Sequence, residues 1–315
     1  MAHLQAHEAQ VLSPGARLAW VRLPAPTGQR EAYWVAFWLL LPATVGLIVF
    51  TFAPLGYALW ISLHDYQLLS GQLTWIGAGN YVRLVSDPSV LKSLVVSGLY
   101  TLISVVAQVI LGLALALLVK DRVRGLGFFR TAYFLPVVAS FVVMATIWKF
   151  LYAESGLFNA ILLTVGLPAQ PFLKSADEAL VSIAALGAWK FVGFNMLVFL
   201  GGVQAIPADL YESAGLDGAD PVQRFMYITL PLLKRVLLFV VVMTSIESFK
   251  LFTPVYVMTT GGPQDSTNAI VFQIFRTGFR YYELGYAAAM SFLLLAVVML
   301  LMWFQFRALR TDVEY

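Results

Sequence analysis

Long apolar runs separated by short polar segments dominate the chain. A helix that crosses the hydrocarbon core of a bilayer needs about 20 mostly apolar residues, and six runs reach this length. The first and last of them contain no charged residue. The pattern predicts an all-α, polytopic membrane protein with six transmembrane helices, at residues 33–63, 93–119, 128–151, 179–205, 232–258 and 284–306.

Lys and Arg are distributed unevenly between the connections. Twelve lie in the two termini and in the connections after the second and fourth runs, whereas five lie in the remaining connections. Cytoplasmic loops carry the excess of basic residues. With an even number of spans, we expect both termini in the cytoplasm and the chain in the inner (cytoplasmic) cell membrane. The first run is too long for the apolar core of a cleaved signal peptide, so we expect it to be retained.

These spans divide the chain into three expected parts. Residues 1–32 contain scattered prolines and polar residues, which is typical of a flexible tail. Residues 33–306 form the transmembrane domain, which includes a cytoplasmic loop at 206–231. Residues 307–315 form a short cytoplasmic tail.

The composition excludes several classes of function. The chain is 60% hydrophobic and 12% charged, whereas soluble domains are about 25% charged. Its net charge of +3 comes from dispersed basic residues, which argues against nucleic acid as a partner. Without cysteine there is no disulfide or thiolate chemistry, and the three histidines do not share a helix face for a metal.

The chain also lacks a Gly-Lys-Ser or Gly-Lys-Thr sequence. It therefore has no phosphate-binding loop of the type that holds ATP. We expect no cofactor in this chain. If ATP drives its activity, another subunit must bind the nucleotide.

The connection 206–231 is longer than the 2–8 residues that usually join helices in bundles. Pro207 suits the first turn of a short helix, and Asp217-Gly218 suits a turn. Asp220 is a favourable N-cap, and Pro221 follows it at the preferred first helical position. The loop is therefore expected to contain two short helices.

The first of these short helices has features of a docking element. Leu210, Tyr211 and Ala214 share one face at helical spacing, and Ser213 and Gly215 allow another surface to approach closely. Such a helix can enter a groove on a soluble partner. An amphipathic helix that lies on the membrane surface has similar features, so the residues leave both interpretations open.

The loop resembles the EAA loop of inner-membrane subunits of binding-protein-dependent ABC importers. The matching segments are Glu212-Ser213-Ala214, Asp217-Gly218-Ala219 and 228–231. Ser213 departs from the family pattern, which has Ala there. The resemblance implies a type I ABC importer permease fold and a loop that seats in a cleft of the ATPase subunit. The residues implied in this coupling are Tyr211, Glu212, Ser213, Ala214, Asp217, Gly218, Ala219 and Pro231.

Further segments look like the carbohydrate-uptake group of these permeases. Within that group they look more like the MalF-type subunit than like the MalG-type subunit with which it pairs. The resemblance implies a non-enzymatic transport subunit that carries a sugar. Its implied partners are a second homologous permease, an ATPase dimer that binds ATP and Mg, and an extracytoplasmic solute-binding protein docking on loops 65–92 and 258–283. The segments are 75–77, Asn80-Tyr81, 134–136, Trp189, 249–258 and Gly261-Gly262-Pro263.

Charged residues in the spans are candidates for the solute path, because each costs about 2.5–3.5 kcal/mol at a helix centre. Glu247 and Lys250 are three residues apart and can pair on one helix face. They either line a path or form a self-satisfied ion pair, and both interpretations stay open. The same question applies to the fourth span. The candidate path residues are Ser245, Glu247, Ser248, Phe249, Lys250, Lys190 and Asn195.

Three alternatives compete with sugar import. A related permease could carry glycerol phosphate, polyamines or amino acids, and an anionic cargo would favour exposed Lys190 and Lys250. A secondary transporter or channel would need ion-coupling residues, yet Glu247 is the only acid in the spans and no discontinuous inverted repeat is visible. An intramembrane enzyme would need a metal cluster or a nucleophile and base, and neither is evident.

Overall fold

The computed structural model describes residues 28–120 and 126–309. The tails expected at 1–32 and 307–315 therefore lie mostly outside the described residues, as do Arg122 and Arg124. By compactness the chain divides into two units, Met1–Tyr57 and Ala58–Tyr315.

In the first unit, α1 (Gln29–Leu47) runs into a π-helical segment, Ile48–Phe52. Its apolar side chains are exposed, including Trp38 and Phe50 at 63% and 81%. A helix that is apolar on all sides suits a lipid environment. The helical path continues as α2 (Ala53–Ser62), which extends into the second unit.

The second unit is mainly helical, with one small hairpin. Strand β1 (His64–Tyr66) pairs antiparallel with β2 (Leu73–Trp75), with Asp65 opposite Thr74. The helices that follow are α3 (Gly79–Ser86), α4 (Pro88–Leu118), α5 (Leu126–Val138), α6 (Phe141–Leu151), α7 (Leu157–Thr164), α8 (Ala179–Gln204), α9 (Ala208–Leu216), α10 (Pro221–Arg224), α11 (Leu230–Leu232), α12 (Lys234–Phe249), α13 (Ile270–Phe275) and α14 (Leu284–Leu309). A 3-10 turn (Phe172–Lys174) and three π-helical segments (Phe225–Thr229, Val255–Thr259 and Arg276–Arg280) complete these elements.

Helix α8 lies at the centre of this unit and packs against α4, α5 and α12. Met196 and Phe199 of α8 are fully buried in a cluster with Ala116 of α4 and Val240 of α12. Glycine lets α8 approach α5 closely: a Cβ at Gly193 would lie 1.9 Å from the carbonyl oxygen of Tyr133. Small residues at such crossings are typical of membrane helix bundles.

Side chains of α3 connect it to the start of the hairpin and to the residue that precedes α14. The side-chain amide of Asn80 donates to the carbonyl oxygens of Ser62 and His64, both at 2.9 Å. Arg83 pairs with Glu283 at 2.6 Å. The hairpin and α3 lie in a region where the sequence predicted only a loop.

Among the described residues, four helices are long and apolar enough to cross a membrane: Ala32–Ser62, Pro88–Leu118, Ala179–Gln204 and Leu284–Ala308. Two bent pairs pass the same test when each is counted together, which gives up to six spans. Thr131–Val138 and Phe141–Leu151 meet at 105°, and Pro221–Leu232 and Lys234–Phe249 meet at 67°.

The main differences from the sequence-based prediction are one helix start, one break inside a run and one helix end. Helix α4 starts at Pro88, because Asp87 caps it by accepting from the amide of Ser89 at 2.9 Å. The predicted continuous helix 128–151 is broken after Val138, two residues beyond Pro136, which removes a helix donor. The predicted helix 232–258 ends at Phe249, and a π-helical segment begins only at Val255.

Candidate functional site

A cavity of about 350 Å³ lies in the second unit, between α4, α5, α6, α8, α12 and the segment after α12. Pockets for small organic ligands have volumes of about 300–1,000 Å³. Aromatic rings and hydrogen-bonding side chains share its wall. The lining residues are Tyr100, Gln108, Val137, Phe141, Phe191, Phe194, Asn195, Met243, Thr244, Glu247, Ser248, Lys250, Leu251, Phe252 and Thr253.

Three buried polar side chains form one patch of the wall. The Asn195 side-chain amide donates to Gln108 Oε1 at 3.1 Å and to Thr244 Oγ1 at 3.3 Å. Helix α4 comes close enough for this contact because Gly112 faces Asn195, where an added Cβ would lie 3.0 Å from the Asn195 Cβ. The patch joins α4, α8 and α12 through hydrogen bonds, beside the aromatic rings of the wall.

Glu247 and Lys250 lie at the C-terminal end of α12, where Lys250 is the C-cap residue. Their side chains pair at 2.9 Å and remain 54% and 62% exposed. Both also line the cavity. The pair is therefore an accessible ion pair that also lines the cavity, and both interpretations given by the sequence stay open.

The structure brings together four of the seven predicted path residues: Asn195, Glu247, Ser248 and Lys250. The other three are held elsewhere. Ser245 Oγ donates to the Val241 carbonyl at 2.7 Å and accepts from the Gln305 side chain at 2.8 Å. Phe249 is buried outside the cavity lining, and the ammonium of Lys190 binds backbone carbonyl groups.

The predicted path residues include none of the aromatic residues of the wall, and they miss Gln108 and Thr244 of the polar patch. Gln108 carried a usable signal, since it is the only amide side chain in the run 93–119. Phe191 and Phe194 are three residues apart on α8, and Phe194 directly precedes Asn195. That spacing placed them on one face, but it did not show that the face borders a cavity.

The loop 206–231 contains short helices α9 and α10, as predicted. Gly218 follows α9 with φ +79°, a conformation that favours glycine. Asp220 accepts from the Gln223 amide at 2.8 Å, and the Gln223 side chain accepts from the Asp220 amide at 2.9 Å. This capping box, with Pro221 in the first turn, confirms the predicted start of α10.

Two contacts brace the loop internally. The Tyr211 and Thr229 hydroxyl groups lie 2.9 Å apart, and Arg224 Nε donates to the Ala219 carbonyl at 2.9 Å. The predicted shared face of Leu210 and Tyr211 is therefore divided: Leu210 is exposed, whereas the Tyr211 hydroxyl points to Thr229.

The predicted coupling residues differ in exposure. Glu212, Ser213, Asp217 and Gly218 are exposed, and Tyr211, Ala214, Ala219 and Pro231 are half-buried. The apolar side chain of Leu216, at the end of α9, is 91% exposed. Within residues 28–120 and 126–309, no group of three or more His, Asp or Glu side chains is arranged to hold a metal ion.

Comparison with known proteins identifies the family. Residues 108–310, which include most of the cavity wall and the whole loop 206–231, match the family described as "Binding-protein-dependent transport system inner membrane component". The resemblance drawn from the EAA-like loop is confirmed at this level.

Two relatives align over most of their length. The trehalose/maltose transport system permease protein MalF of Thermococcus litoralis is 35% identical over 257 residues, which is 81% of this chain and 85% of the relative. The sn-glycerol-3-phosphate transport system permease protein UgpA of Agrobacterium fabrum is 32% identical over 279 residues, covering 88% and 95%.

The fold also matches a solved structure. A chain in the crystal structure of the bacterial alginate ABC transporter, in complex with alginate pentasaccharide-bound periplasmic protein, superposes with a TM-score of 0.75 at 22% identity. The match covers 90% of this chain and 98% of that chain. The fold is thus that of an ABC importer permease, and the chain belongs to the family of inner membrane components of binding-protein-dependent transport systems.

Proposed function

We propose that this chain is one permease subunit of an ATP-driven importer and forms half of the membrane pathway for a sugar. The observation that carries the proposal is the cavity of about 350 Å³, which lies largely within the family-matched region. The subunit itself performs no chemical reaction. ATP and Mg bind to a separate ATPase dimer, and a second homologous permease completes the pathway.

The chemistry of the cavity supports a sugar as the cargo. Hydroxyl groups of a sugar need donors and acceptors, which Asn195, Gln108 and Thr244 supply. The apolar C–H faces of a sugar ring pack on aromatic rings, and Phe191 and Phe194 offer such surfaces. The similarity to a trehalose/maltose permease favours the same class.

An anionic cargo is the second candidate, since another relative is an sn-glycerol-3-phosphate permease. Lys250 lines the cavity and is accessible. Its ammonium is paired with Glu247 at 2.9 Å, however, so an anion would have to displace a carboxylate. This arrangement favours a neutral cargo, for which the pair supplies hydrogen bonds without a net charge.

The bilayer topology that we propose has six spans, with each bent helix pair counted as one. Both termini and the loop 206–231 lie in the cytoplasm, which agrees with the excess of Lys and Arg on that side. The loops 65–92 and 258–283 then face outside, where a loaded solute-binding protein delivers its cargo.

Coupling to ATP is proposed to run through the loop 206–231. Glu212, Ser213 and Gly218 are exposed on it, and the capping box and the Tyr211 contact hold it in one shape. When ATP closes the ATPase dimer, the loop moves with its docking cleft. The helices then switch the cavity between outward and inward opening.

The test is uptake into proteoliposomes that contain this chain with its second permease, its ATPase and its binding protein. Glu212→Gln is expected to abolish uptake while leaving the cargo affinity of the binding protein unchanged. Asp209→Asn is the control, because Asp209 is an exposed acid on the same helix α9. Full uptake by Glu212→Gln, or equal loss in both variants, would contradict coupling through this residue.

The cargo is identified by competition. Unlabelled maltose or trehalose is expected to compete with uptake of a labelled disaccharide, and glycerol 3-phosphate is not. If only glycerol 3-phosphate competed, the cargo would be assigned as an anion instead of a sugar. The proposal that the chain is an importer subunit would stand.

A further inference from the structure

Lys190 lies in the middle of α8 and is 4% exposed, yet it has no carboxylate partner among the ion pairs of the described residues. Its ammonium instead donates to three backbone carbonyl oxygens. The distances are 2.8 Å to Pro136, 3.2 Å to Val137 and 2.7 Å to Ala139. Pro136 and Val137 are in the last turn of α5, and Ala139 lies in the break between α5 and α6.

The break leaves carbonyl groups that need donors. The last turn of an α-helix has carbonyl oxygens without intrahelical partners, and they carry partial negative charge. In a membrane such groups must be satisfied inside the protein. A lysine ammonium has three N–H donors and no acceptor, which equals the number of carbonyl contacts. Phe141 and Phe191 complete the surroundings, each with its ring centroid 5.4 Å from the ammonium.

The same break forms part of the cavity wall. Val137 precedes it, Phe141 follows it, and both line the cavity with Phe191. The two helices meet at 105°. Any change in that angle moves Val137 relative to Phe141, and so changes the shape of the wall.

We propose that Lys190 is a positioning residue: its ammonium acts as a cap in trans for the end of α5, fixes the bend between α5 and α6, and thereby sets the aromatic wall of the cavity. Its effect on transport rests on the proposed function. The structural part does not, because the bend can be measured without cargo, ATPase or binding protein.

The experiment uses the absence of cysteine from the chain. Thr131→Cys on α5 and Phe150→Cys on α6 replace exposed residues on the two sides of the break, and spin labels there report the bend by pulsed electron paramagnetic resonance in lipid nanodiscs. The doubly labelled chain is expected to give one narrow distance distribution. Lys190→Ala is expected to broaden or shift that distribution.

Chemical rescue of Lys190→Ala shows whether the charge of the lost side chain or only its volume fixes the bend. The side-chain atoms that Lys190→Ala removes correspond to n-propylammonium. Added n-propylammonium is expected to restore the narrow distribution, whereas 1-propanol is not. Lys149→Ala is the control, because Lys149 is on α6 but donates only to the Val257 carbonyl, at 3.0 Å, and is exposed.

An unchanged distribution in Lys190→Ala, or equal rescue by 1-propanol, would overturn the proposal. Should Lys190→Ala not be recovered from the membrane, Lys190→Arg and Lys190→Met decide. Recovery of the arginine variant alone, with the parent distribution, supports the cap. Recovery of the methionine variant with that distribution, or of neither variant, overturns it.

Discussion

At the scale of single residues, two polar side chains of α8 have different roles although they are five positions apart. Asn195 lines the cavity and hydrogen-bonds to side chains of α4 and α12. Lys190 is turned to the backbone at a helix break. Both are polar residues in an apolar run, so hydropathy alone predicts a role for each but cannot separate the roles.

Asn195→Leu removes the donor of the polar patch at nearly constant side-chain volume. We expect the KM for cargo uptake to rise by about 2- to 10-fold, because a net hydrogen bond contributes about 0.5–1.5 kcal/mol. The kcat should change little, since an interaction made equally in the bound state and in the transition state affects only KM. Initial uptake rates over a range of cargo concentrations measure this effect.

Thr146→Val is its control, because the Thr146 hydroxyl is exposed and donates only within its own helix, to the Val142 carbonyl. An unchanged KM in Asn195→Leu, or the same rise in both variants, would argue that the polar patch joins helices without contacting cargo.

Tyr211→Phe removes one hydroxyl contact inside the loop 206–231. The lost bond to Thr229 leaves α9 less firmly held, at a cost of about 1 kcal/mol. We expect fewer cargo molecules imported per ATP hydrolysed, with ATPase activity maintained. Parallel measurements of uptake and phosphate release test this ratio.

Tyr227→Phe provides a matched comparison, since Tyr227 lies in the same loop and is 79% exposed. If both substitutions lower the ratio equally, or if neither does, the Tyr211–Thr229 contact has no part in coupling.

At the scale of helices, the sequence predicted the presence of a helix in each apolar run better than it predicted where that helix bends or ends. The six apolar runs all contain helix, but the run 128–151 is two helices at 105°. Pro136 carried a signal for this break that the prediction of a continuous helix did not use, because proline removes a backbone donor. The direction and size of the bend depend on Lys190 and on packing against α8, which are contacts between segments distant in sequence.

The end of α12 shows the same limit. Glu247 and Lys250 were correctly paired by their spacing, yet the predicted helix continued to residue 258. The structure ends it at Phe249, and the chain then passes the cavity as residues 250–254. Because apolar residues precede and follow Phe249, the hydropathy pattern does not indicate that the helix ends there.

Gly193→Ala tests the crossing of α8 and α5. The new methyl group would overlap the Tyr133 carbonyl oxygen, 1.9 Å away, and would force the two backbones apart. Overpacking of this kind costs about 1–3 kcal/mol. We expect a lower thermal unfolding midpoint of the purified chain in detergent.

Gly201→Ala is the comparison on the same helix, because among the described residues no atom beyond its chain neighbours and the adjacent helix backbone lies within 4 Å of the added Cβ. There we expect a neutral or slightly higher midpoint, since alanine is about 1 kcal/mol more favourable than glycine in a helix. A midpoint for Gly193→Ala equal to that of Gly201→Ala would show that the helices separate without cost.

At the scale of the whole molecule, the length and composition of the apolar runs predicted a polytopic membrane protein. The prediction of its orientation in the membrane depends only on the uneven distribution of Lys and Arg between the connections. The proposed orientation rests on twelve basic residues against five, and it puts the hairpin outside and the loop 206–231 inside.

Single cysteines in this cysteine-free chain test that orientation directly. Leu69, between β1 and β2, is 78% exposed, and Leu216, at the end of α9, is 91% exposed. In spheroplasts, a membrane-impermeant maleimide is expected to label Leu69→Cys and not Leu216→Cys. Permeabilisation should make both reactive, and the parent chain should stay unlabelled throughout.

The result bears on coupling as well as on topology. An ATPase in the cytoplasm reaches Glu212 and Gly218 only if Leu216, on the same exposed loop, is also cytoplasmic. Labelling of Leu216→Cys in sealed spheroplasts would therefore place the loop 206–231 on the wrong side for ATP and would refute the proposed coupling. Protection of Leu69→Cys at the same time would reverse the whole topology.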